Sequence, residues 1–279
     1  MGTYVVTGSA SGMGHATAQK LRDGGHTVIG VDIKSADIVA DLSTPDGRKE
    51  AADRVLRNSD ASLDGAVLAA GLGPARQPDR PRQIAQVNYF GAVDLLDAWR
   101  PALAATPRAK VVVFSSNSTT TTPAVPRRTV RALLAHDAEK AVRSVRLFGR
   151  IAPALMYAAS KIAVSHWVRL NAVTSQWAGS GIRLNALAPG AILTPLLEEQ
   201  LSNPKEARAV RSFPIPIGGY GDAGQLADWV CFMLSDSADF LCGSVVFVDG
   251  GSDAYFRACD WPKAVPAYQL LSYLKRFRA

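Results

Sequence analysis

The chain has 279 residues, of which 48% are hydrophobic and 20% are charged, and its formal net charge is +7. This provides enough residues for one large domain with an extensive core. The basic excess is concentrated in segments 124–151 and 257–279, which argues against a continuous nucleic-acid-binding surface.

Cysteine and histidine usage excludes two further classes of site. The three cysteines form no C-x-x-C pair, and the four histidines have no metal-ligand spacing, so we expect thiols in a reducing compartment and no metal. No apolar run approaches the roughly 18 residues of a membrane span. A strand-like run begins at Thr3, which leaves no room for a targeting peptide. A cytoplasmic protein is the resulting expectation.

Strand-like and helix-like segments alternate along the chain. The strand-like runs are 4–6, 27–31, 38–40, 65–69, 110–114, 182–188 and 244–248. The helix-like segments between them include 45–57, 83–103, 157–178 and 223–234. Nearly continuous Val, Ile and Leu strands are typical of a parallel sheet covered by helices on both faces. The order predicts a single α/β domain over 1–279 with a doubly wound, dinucleotide-binding fold.

Three segments depart from the simple alternation. Residues 119–150 interrupt the chain before a predicted helix and have a helical apolar pattern of their own, so we predict a helical insertion. Segment 194–217 combines polar residues with an apolar end and is a candidate substrate lid. Ordinary packing of a surface helix is the alternative for that segment. Residues 252–279 form a C-terminal extension that carries Trp261, Tyr268, Tyr273 and Phe277.

A glycine-rich segment follows the first predicted strand. Residues 7–14 read Thr-Gly-Ser-Ala-Ser-Gly-Met-Gly, with glycine at Gly8, Gly12 and Gly14. Glycine allows a tight turn and a close approach to a pyrophosphate, and the next helix directs its amides at that anion. We expect these glycines, with Ser11 and Met13, to bind the cofactor. A purely structural turn is the alternative.

Asp32 ends the second predicted strand, eighteen residues after Gly14. A carboxylate at this place accepts hydrogen bonds from the adenosine ribose hydroxyls and repels a 2′-phosphate, which predicts NAD rather than NADP. A strand-end turn residue is the alternative interpretation. Ile33 follows directly and is included in the predicted cofactor site. After the third strand, Asp41 is placed to bond the adenine amino group and Leu42 to pack beside it.

Tyr157 and Lys161 are four residues apart, so a helix places both on one face. A free tyrosine has a pKa of about 10, which is too high for a base at neutral pH. A nearby ammonium and a positive nicotinamide both favour the phenolate and lower that pKa. We therefore predict that Tyr157 is a general acid and base assisted by Lys161. Ser115 and Ser116 end the preceding strand, where a hydroxyl bonds a substrate oxygen.

Taken together, these residues resemble the short-chain dehydrogenase/reductase family over nearly the whole chain. The motifs are T-G-x-x-x-G-x-G at 7–14, Asp32, Val87-Asn88, Ser116, Tyr157-x-x-Ser160-Lys161, Pro189-Gly190 and Asp249-Gly250-Gly251. The resemblance implies a catalytic tetrad of Tyr157, Lys161, Ser116 and Asn88. In it Ser116 polarises the substrate oxygen, and the Asn88 backbone holds a proton-relay water.

The resemblance also implies the rest of the cofactor site. Ala70 and Gly71 would contact the cofactor after the fourth strand, and Pro189 with Gly190 after a later one. Beyond them, Ile192 and Thr194 would hold the nicotinamide carboxamide.

Two departures from the family pattern are visible. The family usually has Asn-Asn-Ala-Gly where this chain has Leu68-Ala69-Ala70-Gly71, which puts the central sheet's stability in question more than its chemistry. Ser116 and Tyr157 are 41 residues apart, whereas the family usually has about a dozen residues between them. Ser115 and Ser118 therefore stay open as alternatives to Ser116.

Within the family, several stretches are similar to the bacterial 3α-hydroxysteroid dehydrogenase/carbonyl reductase subgroup. They are 32–34, 71–74, 87–92, 183–185 and 188–197, together with the insertion before the catalytic tyrosine. This resemblance implies NAD(H)-dependent interconversion of a hydrophobic secondary alcohol and its ketone. A terpenoid or small cyclic alcohol is the alternative substrate. A non-catalytic NAD-binding regulator and a nucleic-acid binder that uses the basic insertion are the competing classes.

Family members usually pair through the helices that carry Asn88 and Tyr157. Because residues 124–150 lie between those helices in sequence, we expect a homo-oligomer, a dimer or a tetramer, with an altered interface. No nucleic acid and no membrane is expected as a partner.

Overall fold

The computed structural model describes residues 1–75, 77, 79–202, 204–260, 266–270 and 274. Its central feature is a seven-stranded sheet in which all neighbouring strands are parallel. The strands are β1 (Thr3–Thr7), β2 (Thr27–Asp32), β3 (Ile38–Val39), β4 (Gly65–Leu68), β5 (Lys110–Phe114), β6 (Arg183–Pro189) and β9 (Val245–Val248). A small second sheet pairs β7 (Ile192–Leu193) with β8 (Gly221–Asp222).

Helices connect the strands and cover both faces of the sheet. They are α1 (Gly12–Asp23), α2 (Pro45–Asn58), α3 (Arg80–Ile84), α4 (Gly91–Ala104), α5 (Ser118–Thr121), α6 (Arg127–Leu134), α7 (Ala138–Arg146), α8 (Ala152–Asn171), α9 (Pro195–Ser202), α10 (Pro204–Ser212), α11 (Ala223–Leu234) and α12 (Ser252–Arg257). A π-helical turn, Ala85–Phe90, joins α3 to α4. The predicted doubly wound parallel fold with a helical insertion is confirmed.

The strand order β3-β2-β1-β4-β5-β6-β9 determines where a ligand can bind. Chain order runs outward in one direction from β1 and in the other from β4, so the helices after these strands lie on opposite faces. A crevice opens at such a switch point, at the carboxyl ends of the strands. Thr7 pairs with Leu68 at that end, so the glycine-rich loop after β1 and residues 69–71 after β4 meet there.

The core is divided into two layers by the sheet. Val5 packs with α2, α4 and α8 on one face, whereas its neighbour Val6 packs with α1 and α11 on the other. Both valines are fully buried because successive strand residues point to opposite faces and both faces are covered. This explains why the strands are apolar throughout instead of alternating with polar residues.

The insertion forms two helices that pack back on the domain. Val130 and Leu133 of α6 and Val145 of α7 are buried, while the charged residues of these two helices are mostly exposed. α6 packs on α7 and α8, and α7 also contacts α3 and the π-helical turn. Arg82 of α3 forms an ion pair with Glu139 of α7. The insertion therefore covers part of both helical segments through which family members usually pair.

Element boundaries differ from the sequence-based predictions at several helix ends. The segment predicted as 157–178 is helical from Ala152 to Asn171, because Pro153 in its first turn is suited to a helix start. The segment 83–103 is divided by the π-helical turn. α1 begins at Gly12, within the glycine-rich segment.

Segment 194–217 contains α9 and α10, and the C-terminal extension begins with α12. Of the aromatic residues of the extension, Tyr268 is exposed, whereas Trp261, Tyr273 and Phe277 lie outside the described residues. Within the described part of the chain, no helix has the length and apolar character required to span a bilayer.

Candidate active site

The glycine-rich loop connects β1 to α1 at the switch point of the sheet. Gly8 and Gly12 have φ angles of +70° and +56°, which other residues rarely adopt. At Gly14 a Cβ would overlap the carbonyl oxygen of Gly8, so no larger residue fits there without a shift of the loop. Ser11 is the N-cap of α1, and its side chain makes no capping hydrogen bond, while Met13 packs inward. The loop therefore presents the backbone at the start of α1 to the crevice.

Asp32 lies across from this loop at the end of β2. Its Oδ2 accepts a hydrogen bond from the Ala10 amide at 3.0 Å, and its Oδ1 accepts one from the Lys34 amide at 3.2 Å. These bonds orient the carboxylate at the place where a ribose would lie beside the loop. Ile33 is next to it with 59% of its side chain exposed. An exposed isoleucine at this edge offers an apolar surface to a flat ring.

Asp41 and Leu42 follow β3 on the same side of the crevice. Leu42 is buried in the core, whereas Asp41 is exposed and accepts a hydrogen bond from the Ser43 amide at 2.9 Å. Only Asp41 is thus accessible for a polar contact with an adenine amino group. Arg48 donates to the carbonyl of Leu42 at 3.1 Å and fixes the backbone of this turn.

The segment after β4 is held by side chains from neighbouring elements. The Ala70 amide donates to Thr7 Oγ1 at 3.1 Å. Asn88 of the π-helical turn bonds Leu72 twice: its Oδ1 accepts from the Leu72 amide at 2.8 Å, and its Nδ2 donates to the Leu72 carbonyl at 3.0 Å. A Cβ on Gly71 would lie 3.6 Å from Asn88 Oδ1 and 3.9 Å from Lys161 Nζ. Gly71, Asn88 and Lys161 are therefore neighbours.

The three candidate serines after β5 have different surroundings. Ser115 Oγ bonds Ser165 Oγ of α8 at 2.6 Å, which is a buried contact between strand and helix. Ser116 Oγ accepts from the Ser118 amide at 3.1 Å, and the Ser116 hydroxyl is close enough to the Tyr157 phenol to lower the pKa of that phenol. Ser118 Oγ is buried and has no partner within the described residues. Of the three, Ser116 is the one whose hydroxyl contacts Tyr157.

Tyr157 and Lys161 are on α8, one turn apart, with Lys161 the more deeply buried. Lys161 Nζ donates to the Phe114 carbonyl at 2.7 Å and lies 6.0 Å from the centre of the Tyr157 ring. The ammonium is thus fixed between the end of β5 and the tyrosine. The separation of 41 residues between Ser116 and Tyr157 does not keep them apart, because the insertion begins and ends near the same edge of the sheet.

Burial controls the protonation of this pair. Burial lowers the pKa of Lys161 to about 8, because a charged ammonium is poorly solvated there. Burial also raises the pKa of the Tyr157 phenol, and the hydrogen bond from Ser116 lowers it only in part. The sequence-based expectation of a lowered tyrosine pKa is therefore not met by the protein alone. The positive charge of an oxidised nicotinamide is the part of that expectation that the chain itself does not supply.

Residues after β6 complete the opposite wall of the crevice. At Gly190 a Cβ would come within 2.7 Å of the Asp249 backbone, so this position also requires glycine. Pro189 ends β6, and its carbonyl accepts from the Asn117 amide at 2.9 Å. Ile192 is buried, while Thr194 Cγ2 lies 3.4 Å from the position of a Cβ on Gly12. Thr194 therefore faces the glycine-rich loop across the crevice.

The apolar end of the candidate lid is anchored on the last loop of the domain. Ser252 Oγ donates to the Pro214 carbonyl at 2.8 Å, and the Ile217 amide donates to the Gly250 carbonyl at 3.2 Å. Phe213 and Phe256 of α12 are in tilted contact, with ring centres 5.8 Å apart. Residues 213–217 are thus held against the Asp249-Gly250-Gly251 turn, and α9 and α10 precede them at the edge of the crevice.

The residues present fit a dinucleotide. Gly8, Gly12 and Gly14 bring the backbone of the loop to the N-terminus of α1, and Asp32 and Thr194 lie beside the same loop. Lys161 stands at the far end, beside Gly71 and Tyr157. The structure places the predicted residues on the segments along one edge of the sheet, but Leu42 and Ile192 are buried in the core and Met13 packs inward, so their side chains do not face the crevice.

Three contributors were not identified from the sequence. They are the Thr7 hydroxyl that holds Ala70, the Leu72 backbone that holds Asn88, and the Phe114 carbonyl that holds Lys161. The last two partners are backbone groups, which leave no signal in residue types. Thr7 at the end of β1 was part of the motif, but its hydroxyl has a partner only because β4 is the neighbour of β1.

Comparison with known proteins gives matches over nearly the whole chain. The family model described as enoyl-(acyl carrier protein) reductase matches residues 141–253. A 3-alpha-hydroxysteroid dehydrogenase/carbonyl reductase from Comamonas testosteroni is 38% identical over 92% of this chain and 98% of its own length. A cis-4-hydroxycyclohexanecarboxylate dehydrogenase from Sinomonas cyclohexanicum is 30% identical over 90% of this chain and 96% of its own.

Solved structures agree with these relatives. The crystal structure of the 3-alpha-hydroxysteroid dehydrogenase from Pseudomonas sp. B-0831, complexed with NADH, is 40% identical. It covers 93% of this chain and 100% of its own, with a TM-score of 0.86. The chain therefore belongs to the short-chain dehydrogenase/reductase family, as an oxidoreductase that acts on alcohol and carbonyl groups with a nicotinamide dinucleotide.

Proposed function

We propose that this enzyme uses NAD(H), in preference to NADP(H), to interconvert a hydrophobic secondary alcohol and its ketone, with 3α-hydroxysteroids as the first substrate class. The observation that carries the proposal is the placement of the Ser116 hydroxyl beside the Tyr157 phenol, with Lys161 one turn further along α8 and 6.0 Å from the centre of the Tyr157 ring. The two steroid dehydrogenases among the relatives support the substrate class. The cyclohexanecarboxylate dehydrogenase supports a smaller cyclic alcohol as the second candidate.

In this proposal each side chain has a separate task. A bound NAD⁺ supplies the hydride acceptor. Ser116 donates a hydrogen bond to the substrate oxygen and holds it beside the phenol. In oxidation the Tyr157 phenolate takes the hydroxyl proton, and in reduction the Tyr157 phenol gives a proton to the carbonyl oxygen. Lys161 is fixed by the Phe114 carbonyl, and its remaining donors are available to the nicotinamide ribose.

Asn88 has a positioning role in the same proposal. Both polar ends of its side chain are occupied by Leu72, so the side chain holds the loop after β4 rather than the substrate. The π-helical turn at this residue departs from the regular hydrogen-bond ladder of a helix, and such turns are frequent at functional sites. We propose that the Asn88 backbone holds the water through which a proton leaves the site.

Cofactor preference depends on Asp32 in this proposal. Its carboxylate is oriented toward the loop by two backbone amides, and a 2′-phosphate there would meet a negative charge. Asp32→Ala should weaken NAD binding about ten-fold or more and reduce the preference over NADP. Asp23→Ala, at the far end of α1, is the matched control. An unchanged ratio of kcat/KM for the two cofactors in Asp32→Ala would contradict the assignment.

The substrate class is tested by NADH formation over a panel of 3α-hydroxysteroids, their 3β epimers, monoterpene alcohols and simple cyclic alcohols, with NADP as a control. Turnover of 3α-hydroxysteroids with NAD supports the proposal. Turnover restricted to small or terpenoid alcohols would transfer the assignment to the second candidate. Binding of NAD without turnover of any alcohol or ketone would favour a regulator.

Segment 194–217 is proposed to close over the bound substrate. Its end at 213–217 is anchored by Ser252 and Gly250, and we propose that α9 and α10, which precede this anchor, are the parts that move as a lid. The domain is proposed to extend over 1–279, with 119–150 as an integral insertion and 252–279 as an extension.

We propose that the enzyme is a homo-oligomer whose interface differs from the usual pairing. Because α6 and α7 pack on α8 and on the π-helical turn, two copies cannot bury those helices against each other in the ordinary way. Light scattering gives the oligomeric state, and an interface formed by α4 and α8 alone would contradict the proposal. All three cysteines are free thiols, which supports a reducing, cytoplasmic location.

A further inference from the structure

A cavity of about 650 Å³ lies between the insertion and the beginning of the catalytic helix. Its walls come from three places: α7 and the turn after it, the first turn of α8, and the chain around the start of α3. A volume of this size is in the range of small-molecule sites, which are roughly 300–1,000 Å³. The catalytic residues described above do not line this cavity.

The cavity combines apolar walls with a cationic rim. Val142, Val145 and Pro153 supply the apolar side, and the charged residues along it are Asp79, Arg82, Arg146 and Arg150. Arg82 is neutralised by ion pairs with Asp79 and Glu139. Among the described residues, no carboxylate pairs with Arg146 or Arg150, so two positive charges at this rim are uncompensated. Guanidinium groups are weakly hydrated and bind carboxylates through paired hydrogen bonds.

The cavity is connected to the catalytic centre through the chain itself. Pro153 precedes Tyr157 by four residues on α8, so the two are on the same side of the helix, about 6 Å apart along its axis. The opposite wall includes Gln77 and Asp79, which follow the segment that Asn88 holds at Leu72. The cavity therefore begins about one helical turn from Tyr157, on the same side of α8, within reach of the far end of a ligand whose hydroxyl contacts the phenol.

We infer that this cavity is a specificity subsite, in which Arg146 and Arg150 bind a carboxylate at the end of the substrate opposite to the reacting carbon. The inference rests on the proposed function and narrows it: the preferred substrates are hydrophobic, cyclic alcohols or ketones that carry a carboxylate. The apolar walls contact the ring system, and the two guanidinium groups select the acid over its neutral derivatives. The insertion thereby acquires a role in substrate choice.

Binding to the NADH-loaded enzyme tests the subsite directly, because a hydroxysteroid probe cannot be oxidised when the bound cofactor is already reduced. The probes are a 3α-hydroxysteroid with a side-chain carboxylate and its methyl ester, titrated by calorimetry into wild-type enzyme and Arg146→Ala/Arg150→Ala. We expect wild type to bind the acid at least ten-fold more tightly than the ester, and the double variant to bind both equally. Loss of the acid's advantage should appear in KM for the acid, with kcat for the ester unchanged.

Arg127→Ala/Arg131→Ala is the matched control, because it removes two exposed arginines from the same insertion outside the cavity. Val142→Trp fills the cavity from α7 and should weaken both the acid and the ester. Equal affinity of wild type for acid and ester, or equal losses in the two double variants, would overturn the subsite. Failure of the proposed function has a different signature, namely no NADH formation from either probe, whatever their affinities.

Discussion

The glycine-rich loop and the inserted helices differ in what determines their structure. In the loop, backbone geometry decides: a Cβ at Gly14 would overlap the Gly8 carbonyl oxygen, and Gly8 and Gly12 have positive φ angles. In the insertion, side-chain packing decides: Leu133 and Val145 are buried, but their helices have no position at which only one residue type fits. At its glycines the first region does not tolerate a larger residue without strain, whereas the second region depends on the amount of apolar surface buried.

The comparison teaches where cofactor binding and substrate choice are located. In the proposed function the loop binds the cofactor, because glycines at these positions let the backbone approach a pyrophosphate at the N-terminus of α1. The insertion packs on α8 and forms one wall of the 650 Å³ cavity. α8 connects the insertion with the catalytic residues, because it carries Tyr157 and Lys161 and also supports α6 and α7.

Tyr157→Phe should separate catalysis from cofactor binding more clearly than any other substitution. Loss of the phenol removes the proton acceptor and donor, so kcat should fall about a thousand-fold or more. NAD affinity, followed by fluorescence titration, should stay within two-fold of wild type. Tyr4→Phe, on the first strand at the opposite end of the sheet, is the control and should retain full activity. A variant that keeps most of its turnover would remove Tyr157 from the mechanism.

Gly14→Ala tests whether backbone geometry determines the structure of the glycine-rich loop. The added Cβ must displace the Gly8 carbonyl, so we expect NAD affinity to fall by about a hundred-fold, together with a lower thermal midpoint. Gly179→Ala is the control, since a Cβ there meets only an ordinary contact at 3.4 Å. If Gly14→Ala bound NAD as tightly as wild type, backbone geometry would not be what limits this loop.

Leu133→Ala tests whether side-chain packing determines the structure of the insertion. Replacing this fully buried leucine should lower the free energy of unfolding by about 2–5 kcal/mol, because the substitution leaves a cavity. Urea unfolding measures the loss. NAD affinity of the folded protein should change less than two-fold. Leu170→Ala, at a leucine that is 64% exposed, should cost under about 0.5 kcal/mol. A large loss of NAD affinity in Leu133→Ala would show that the two regions are coupled.

The smallest expected effect is a pH dependence of stability that comes from Lys161 of α8. The pKa of Lys161 is lowered to about 8 by burial, whereas an unfolded lysine keeps a pKa near 10.5. Between these values the unfolded chain binds the proton and the folded protein does not, so stability should rise with pH from about 8 to 10.5, by up to about 3 kcal/mol. Below pH 8 this contribution is constant.

Urea unfolding of cofactor-free enzyme across that pH range measures the effect. Lys161→Met should flatten the profile, and Lys140→Met, on the exposed side of α7, should leave it unchanged. A Lys161→Met profile as steep as that of wild type would assign the pH dependence to other groups.

The sequence by itself determined the fold, the family and the positions of the nucleotide and catalytic motifs. Residue types carry that information directly: glycine where a Cβ cannot fit, apolar strands where both faces are buried, and Tyr157 with Lys161 at helical spacing. The tertiary structure decided what depends on distance between remote segments. It placed Ser116 rather than Ser115 or Ser118 against Tyr157, because Ser115 is occupied by Ser165.

Backbone partners and cavities were also beyond the sequence. Asn88 is held by the Leu72 backbone and Lys161 by the Phe114 carbonyl, and a backbone group has no residue type to recognise. The cavity beside Arg146 and Arg150 exists only because the insertion folds back against α3 and α8. Spacing along a chain fixes neighbours within one element, whereas the packing of separate elements depends on the summed burial of many side chains.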